Sequence, residues 1–280
     1  MVSKLTNQLI EHFNKGAFGL FIGAGLSQAS GLPSWKDLLL SLTSKSKDIG
    51  AINDEREKEL LTLIDNPDKY LLVAEELRET LAGGFEKYIK EIFDKKYIPS
   101  EALLMAMDLN PRFIVTTNYD QLIEQAYITK YSDVPPKFTY KNAATINYKM
   151  TNSEFFILKA HGSADDAPSE IILTEKDYRK VLYSEMGYQS VLQAMFSMNN
   201  ILFLGASLKD PELLLVLRFI HHIFHGGTPD HYAFINQDEI STTEKQRWRK
   251  DFNINIITYD PKDNHAELTK IIAELVASKK

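Results

Sequence analysis

Phe18-Gly-Leu-Phe-Ile22 runs directly into Gly23-Ala-Gly-Leu-Ser27. The first five residues are apolar or small without alternation, the pattern of a strand buried on both faces in a parallel sheet. The glycines that follow mark a tight turn out of that strand. Behind the turn, Trp35 to Ser44 has helical spacing, with Ser34 in the N-cap position. Strand, glycine turn and helix in this order form the entrance to many nucleotide-binding α/β units. Gln28 stands where a full G-x-G-x-x-G would place its last glycine. Taken alone, the turn therefore reads equally as a diphosphate cradle and as a plain strand–helix connection.

Working outward, Phe113-Ile-Val-Thr-Thr117, Phe155-Phe-Ile-Leu-Lys159, Ile201-Leu-Phe-Leu204, Tyr232-Ala-Phe-Ile235 and Ile254 to Thr258 are further short apolar runs. Helical stretches separate most of them, among them Gln121 to Tyr127. The expected class is α/β: a Rossmann-like, mainly parallel sheet with helices on both faces. Leu5, Leu9, Ile10 and Phe13 predict a short amphipathic helix ahead of the first strand. From Asp54 to Lys96 the apolar stripes are helical, and Pro67 and Gly83-Gly84 break them into separate helices. The chain is thus expected to be a single domain, 1–280, with a helical insert or cap over about 45–100. That insert is either a contact surface or a cover for the cleft. Ser132 to Ser153 is polar, contains Pro135-Pro136, and is expected to be loop or insert.

Composition bounds the function. The 280 residues are 44% hydrophobic and 25% charged, with a formal net charge of −6. A negative chain is a poor general phosphate binder, so no direct nucleic-acid binding is expected. Lys90, Lys95 and Lys96 sit among acids and read as a solvated helix face. Cysteine is absent, which excludes disulfides, a cysteine nucleophile and a Cys-based zinc site. Met1 to Lys15 is charged and polar throughout, unlike a signal peptide, and no apolar run could span a membrane. A cytoplasmic location is expected. His221 and His225 share a helix face, but no zincin glutamate accompanies them, and no metal is expected.

The strand ends carry the functional signal. Each apolar run closes in small or polar residues: Gly23-Ala-Gly-Leu-Ser27, Thr117-Asn-Tyr-Asp120, His161-Gly162, Gly205-Ala-Ser207 and Asn236. In an open parallel sheet these ends line one edge, where ligands bind. Singly, each has a bland reading. Asn118, Asp120 and Asn236 are common turn residues. Ser207 would cap a helix, and His161 would be a structural histidine. Together they predict one cleft.

At these residues the chain resembles the sirtuin superfamily. More narrowly, it is similar to the bacterial SIR2-like NADase domains of anti-phage defence, with Gly31-Leu-Pro-Ser-Trp35 in place of the Gly-Ile-Pro-Asp-Phe-Arg type of loop of the deacetylases. The resemblance implies hydrolysis of NAD to ADP-ribose and nicotinamide, depleting NAD when phage is sensed. It implies that Gly23, Ala24, Gly25, Ser27 and Thr117 meet the diphosphate side of NAD, and that Gly205 and Ser207 hold phosphate and ribose. Asn236 would bond the adenosine ribose, with Tyr259 beside adenine. Asn118, His161 and Asp120 would act at the nicotinamide ribose: Asn118 on water, His161 as general base, Asp120 on the sugar or its loop. The family implies a homo-oligomer and/or a separate regulatory partner, of the HerA-type ATPase or short Argonaute kind. The missing cysteines and deacetylase loop weaken the alternatives, a protein deacylase or an ADP-ribosyltransferase. A non-catalytic NAD or ADP-ribose sensor would not need both Asn118 and His161.

Overall fold

The computed structural model describes residues 4–16, 18–93 and 95–279. Met1–Ser3, Ala17, Asp94 and Lys280 lie outside the described residues, including those parts of the N-terminal segment and of the Asp54–Lys96 stretch read above. The strands are β1 (Phe18–Ile22), β2 (Ile114–Thr116), β3 (Lys137–Thr139), β4 (Ile157–Lys159), β5 (Asn200–Leu204), β6 (His231–Asn236) and β7 (Ile254–Tyr259). They form one seven-stranded sheet in the order β3-β4-β2-β1-β5-β6-β7. Every neighbouring pair is parallel. Setting aside the edge strand β3, the order is that of a doubly wound Rossmann-type sheet. Its direction of growth reverses between β1 and β5, the place where such sheets bind ligands.

Why the strands read as unbroken apolar runs is visible in the packing. All five residues of β1 are buried. Leu20 and Ile22 face one core with Ile114, Ile157, Leu202, Leu204, Tyr232 and Phe234. Phe21 faces the other with Val115, Leu158, Phe203, Ala233 and Ile235. Helices Trp35–Asp48, Tyr70–Leu81, Glu101–Asp108 and Lys262–Ala277 cover the first face. Helices Glu175–Ser184, Met186–Met198 and Pro211–Ile223 cover the second. Each fully buried Leu, Ile or Phe contributes about 1.5–3 kcal/mol relative to exposure, which fixes register as well as fold.

The expected insert is helical: Asp54–Ile64, Tyr70–Leu81 and Phe85–Phe93, interrupted by 3₁₀ turns at Pro67–Lys69 and Ala82–Gly84. It lies over the strand-end edge rather than apart from it. The guanidinium of Arg78 pairs with Asp177 and donates to the Ile171 carbonyl (3.4 Å). The Lys176 N–H donates to Glu75 (3.1 Å). Phe93 meets the Tyr119 ring edge-on, with centroids 5.4 Å apart.

Two expectations need correction. Ser132–Ser153 is not simply loop: it holds β3, a 3₁₀ turn at Tyr140–Asn142 and the helix Ala143–Thr151. The helix is polar because it is anchored chiefly through one fully buried residue, Ile146, while the 3₁₀ turn contributes buried Tyr140. The turn at Gly23–Ser27 is a short helix, Ala24–Gln28, with Gly23 as its N-cap residue.

Candidate active site

Thr116 on β2 and Lys159 on β4 are register partners. Two residues beyond each lie Asn118 and His161, both just past the carboxyl ends of these adjacent strands. The Ala160 N–H donates to the Thr116 carbonyl (2.8 Å), extending the pairing to that point. Gly162 then turns the chain at φ +80, where a Cβ would meet the Glu170 carbonyl oxygen at 2.9 Å. Only glycine allows this loop to fold so tightly against segment 170–172.

Asn118 is 5% exposed and ties three elements together. Its Nδ2 donates to the Gly23 carbonyl (3.1 Å) and to the Ser27 hydroxyl (2.9 Å). Its backbone N–H donates to the Thr116 hydroxyl (3.1 Å), which itself donates to the Ile22 carbonyl (2.7 Å). The amide NH₂ is thus consumed by the β1 loop. The Oδ1 is buried with no partner in the fold. Buried polar atoms are almost always bonded, so an orphan acceptor at a sheet edge is a position for a ligand hydroxyl or a water.

His161, 3% exposed, carries the second orphan, Nε2. Its ring stands edge-on to Tyr178 (5.2 Å). Nε2 is 3.5 Å from Asp210 Oδ2 and 3.7 Å from Glu212 Oε2. Burial lowers the imidazole's pKa, and the charges of Asp210 and Asp177 oppose that fall. Glu212 is buried too; burial and the nearby Asp210 push its carboxyl up to about 7. Sequence reasoning missed both acids. Their signal was Asp210-Pro-Glu212 at a helix start, which reads as an N-cap. Asp210 does cap Pro211–Ile223, accepting from the Leu213 N–H (2.9 Å).

The remaining expected residues do different local work. Gly23, Gly25 and Gly205 are packed on one another at the switch between β1 and β5. A Cβ on Gly23 would lie 2.5 Å from the Gly205 carbonyl oxygen, and Gly205 itself sits at φ +62 with its own Cβ position 2.6 Å from the Leu26 nitrogen. The N–H groups of Gly23 and Gly25 donate to the carbonyls of Leu204 and Gly205 (2.9 Å each). These glycines therefore serve first to seat one backbone against another, and their N–H groups are spent within the fold. Ala24 is exposed at the start of the short helix, whereas Ser27 is buried against Asn118, and Thr117 lies half-buried just before it.

Asp120 does local work. Its carboxylate accepts from the Leu122 N–H (2.9 Å), starting the helix Leu122–Tyr131. Its carbonyl accepts from the fully buried Lys159 ammonium, which also lies 3.5 Å from Glu124. Ser207 is exposed and accepts from the Lys209 N–H (3.4 Å); the cap expected of it belongs to Asp210. Asn236 and Tyr259 are register partners farther along the edge. Asn236 accepts from the Asp238 N–H (3.0 Å) as a turn residue. Tyr259 is 6% exposed with its hydroxyl 3.1 Å from His265 Nδ1, inside the core rather than lining an open adenine pocket. A surface cavity of about 540 Å³ opens elsewhere, between Trp35–Asp48 and Phe85–Phe93, lined by Lys45, Asp48, Tyr88, Glu91 and Lys95 among others. Among the described residues no group of three or more His, Cys, Asp or Glu is arranged to hold a metal, and no helix is long and apolar enough to cross a membrane.

Known proteins resemble the chain along nearly its whole length. It is 26% identical to the NAD(+) hydrolase ThsA of Enterococcus faecium, covering 97% of this chain and 57% of that protein. It is 27% identical to the NAD(+) hydrolase ThsA of Bacillus cereus (strain MSX-D12), covering 91% and 53%. Similarity extends at 23% identity to the Defense-associated sirtuin 2 of Bacillus subtilis, covering 79% and 21%. The chain spans about half the length of the ThsA relatives it matches. A solved Sir2 homologue–NAD complex overlays with a TM-score of 0.44 at 14% identity, covering 98% of this chain and 96% of that one, too loosely to place a ligand. The SIR2-like domain family matches residues 112–257, more than half of the chain, from the approach to β2 into β7. The chain belongs to the SIR2-like domain family.

Proposed function

We propose that this chain cleaves the nicotinamide–ribose bond of NAD, releasing nicotinamide and ADP-ribose, and that it serves anti-phage defence by depleting NAD. The observation that carries this reading is the buried, unpartnered Asn118 Oδ1 together with the buried His161 ring, at the ends of the adjacent strands β2 and β4. The names of the relatives agree with it. In the reaction the C1′–N bond breaks and its electron pair passes to the pyridinium nitrogen, so nicotinamide leaves neutral. A water oxygen bonds to C1′ and its proton passes to a base. Asn118 holds that water or a ribose hydroxyl through Oδ1. His161, neutral because it is buried, takes the proton. Asp120 holds the start of the helix that follows Asn118. Ala24, Ser27, Thr117 and Ser207 would border the diphosphate path, and Asn236 would lie toward the adenosine end.

The protein would work in the cytoplasm, as a homo-oligomer and/or with a separate regulatory partner. Purified chain incubated with NAD, with products resolved by chromatography, tests the reading. A positioned base contributes about 10²–10⁴-fold. Asn118→Ala and His161→Ala should each lose at least about 100-fold in nicotinamide release with circular dichroism unchanged. Variants that turn over NAD at the parental rate would overturn it.

A further inference from the structure

Asp210 and Glu212 are charged groups that the expected chemistry does not use. Both belong to the start of helix Pro211–Ile223, yet both reach the His161 ring, 3.5 Å and 3.7 Å from Nε2. Each is held from behind. The Tyr178 hydroxyl donates to Asp210 Oδ2 (2.8 Å). The Tyr188 hydroxyl donates to Glu212 Oε2 (3.0 Å) and Gln189 Nε2 to Glu212 Oε1 (2.8 Å). Glu212 is 3% exposed. A carboxylate this buried is costly unless something needs it, and the polar side chains around it fix its direction. Helix capping needs only Asp210 Oδ1, so it explains neither Oδ2 nor Glu212.

We propose that Asp210 and Glu212 are positioning residues for His161: they hold the imidazole in the tautomer with its proton on Nε2, directed at their carboxyl oxygens, and leave Nδ1 as the nitrogen that accepts a proton. The proposal rests on the reading of His161 as the base. A short shift of the ring or of the acid pair closes both distances to hydrogen-bond length. When Nδ1 takes the proton from water, the ring becomes a cation, and two acids beside Nε2 stabilise it where solvent is excluded. The same pair makes the rate depend on pH. The charged and titratable groups facing this cluster are Asp210 and Glu212 on one helix, Asp177 and Tyr178 on Glu175–Ser184, Tyr188 on the next helix, Arg78 from the insert, and Tyr119 beside β2. Arg78 neutralises Asp177, which leaves Asp210 as the principal charge acting on His161.

The test uses the full chain and the variants Glu212→Gln, Asp210→Asn, Asp210→Ser and Glu212→Asp. Asn and Ser at position 210 keep a helix cap while removing the charge. Expected for Asp210→Asn and Glu212→Gln is a loss of at least tenfold in kcat with KM for NAD within about twofold. The acid limb of the kcat/KM profile should move to lower pH in Asp210→Asn, since an anion that raises the imidazole pKa is gone. Glu212→Asp should recover part of the loss. Independently of turnover, ¹⁵N-resolved NMR of the His161 ring should show Nε2–H in the parent and a mixture of tautomers in the Asp210→Asn/Glu212→Gln double variant. A ring whose tautomer and titration are unchanged in the double variant overturns the proposal. So does a parent ring protonated at Nδ1. A parent with the expected tautomer but no NAD cleavage sinks the catalytic reading alone.

Discussion

Among the buried groups that titrate between pH 7 and pH 5, His231 and Glu212 have effects on stability that oppose each other. The His231 ring is 1% exposed and lies edge-on to Phe196 and Phe203, and its Nδ1 accepts from the Ile201 N–H (3.2 Å). Burial pulls its pKa from 6.5 to about 4. Its contribution is therefore present above pH 6.5 and lost as pH falls through 4, about 2 kcal/mol of it between pH 7 and pH 5. Glu212 has the other sign. Burial and Asp210 raise its pKa from 4.5 to about 7, so its contribution is full below pH 4.5 and lost as pH rises through 7. Going from pH 7 to pH 5 recovers about 2 kcal/mol. In the parent the two nearly cancel. His231→Asn, which keeps an acceptor for the Ile201 N–H, should gain about 2 kcal/mol relative to the parent over that interval, and Glu212→Gln should lose as much. Urea denaturation followed by the fluorescence of the two tryptophans at pH 7, 6 and 5 reads both differences. Groups remote from both sites drop out of the comparison. Parallel stability–pH curves for parent and variants would refute the reasoning.

Two further substitutions probe the scaffold of the site. Thr116→Val keeps the shape of the side chain but removes the bond to the Ile22 carbonyl and the acceptor for the Asn118 N–H. It should cost about 1–3 kcal/mol in denaturant titration, because a buried N–H is left unpaired. Lys159→Met strands Glu124, whose two carboxylate oxygens have no other partner, and frees the Asp120 carbonyl. A loss of about 3–5 kcal/mol is expected, of which Lys159→Met/Glu124→Leu should restore at least half. Equal stability of the single and double variants would show that the pair is not coupled.

Much of the fold was legible because a doubly covered parallel sheet writes its strands as apolar runs, and β1, β5 and β6 are such runs. β3 was not, being three half-buried residues after Pro135-Pro136 at the sheet's edge, where burial leaves little pattern. Asn118 and His161 were legible as polar residues at strand ends, and they follow the adjacent, paired strands β2 and β4. Asp210 and Glu212 were not, because a cap explains their sequence and only tertiary packing turns them toward His161. The glycines were found for a reason that is only part of the physics. What fills the space of their missing side chains is the loop after β5.

The helical insert closes over the strand ends through Arg78 with Asp177, Glu75 with Lys176, and Phe93 on Tyr119. At the same sheet edge Asn118 and His161 are 5% and 3% exposed. On the proposed function, a dinucleotide would reach them only where this cover is displaced, and its measured affinity would be the intrinsic one scaled by the displaced fraction. A cover displaced one hundredth of the time would weaken binding by about 2.7 kcal/mol, and anything that holds it displaced would return that amount without touching a single binding residue.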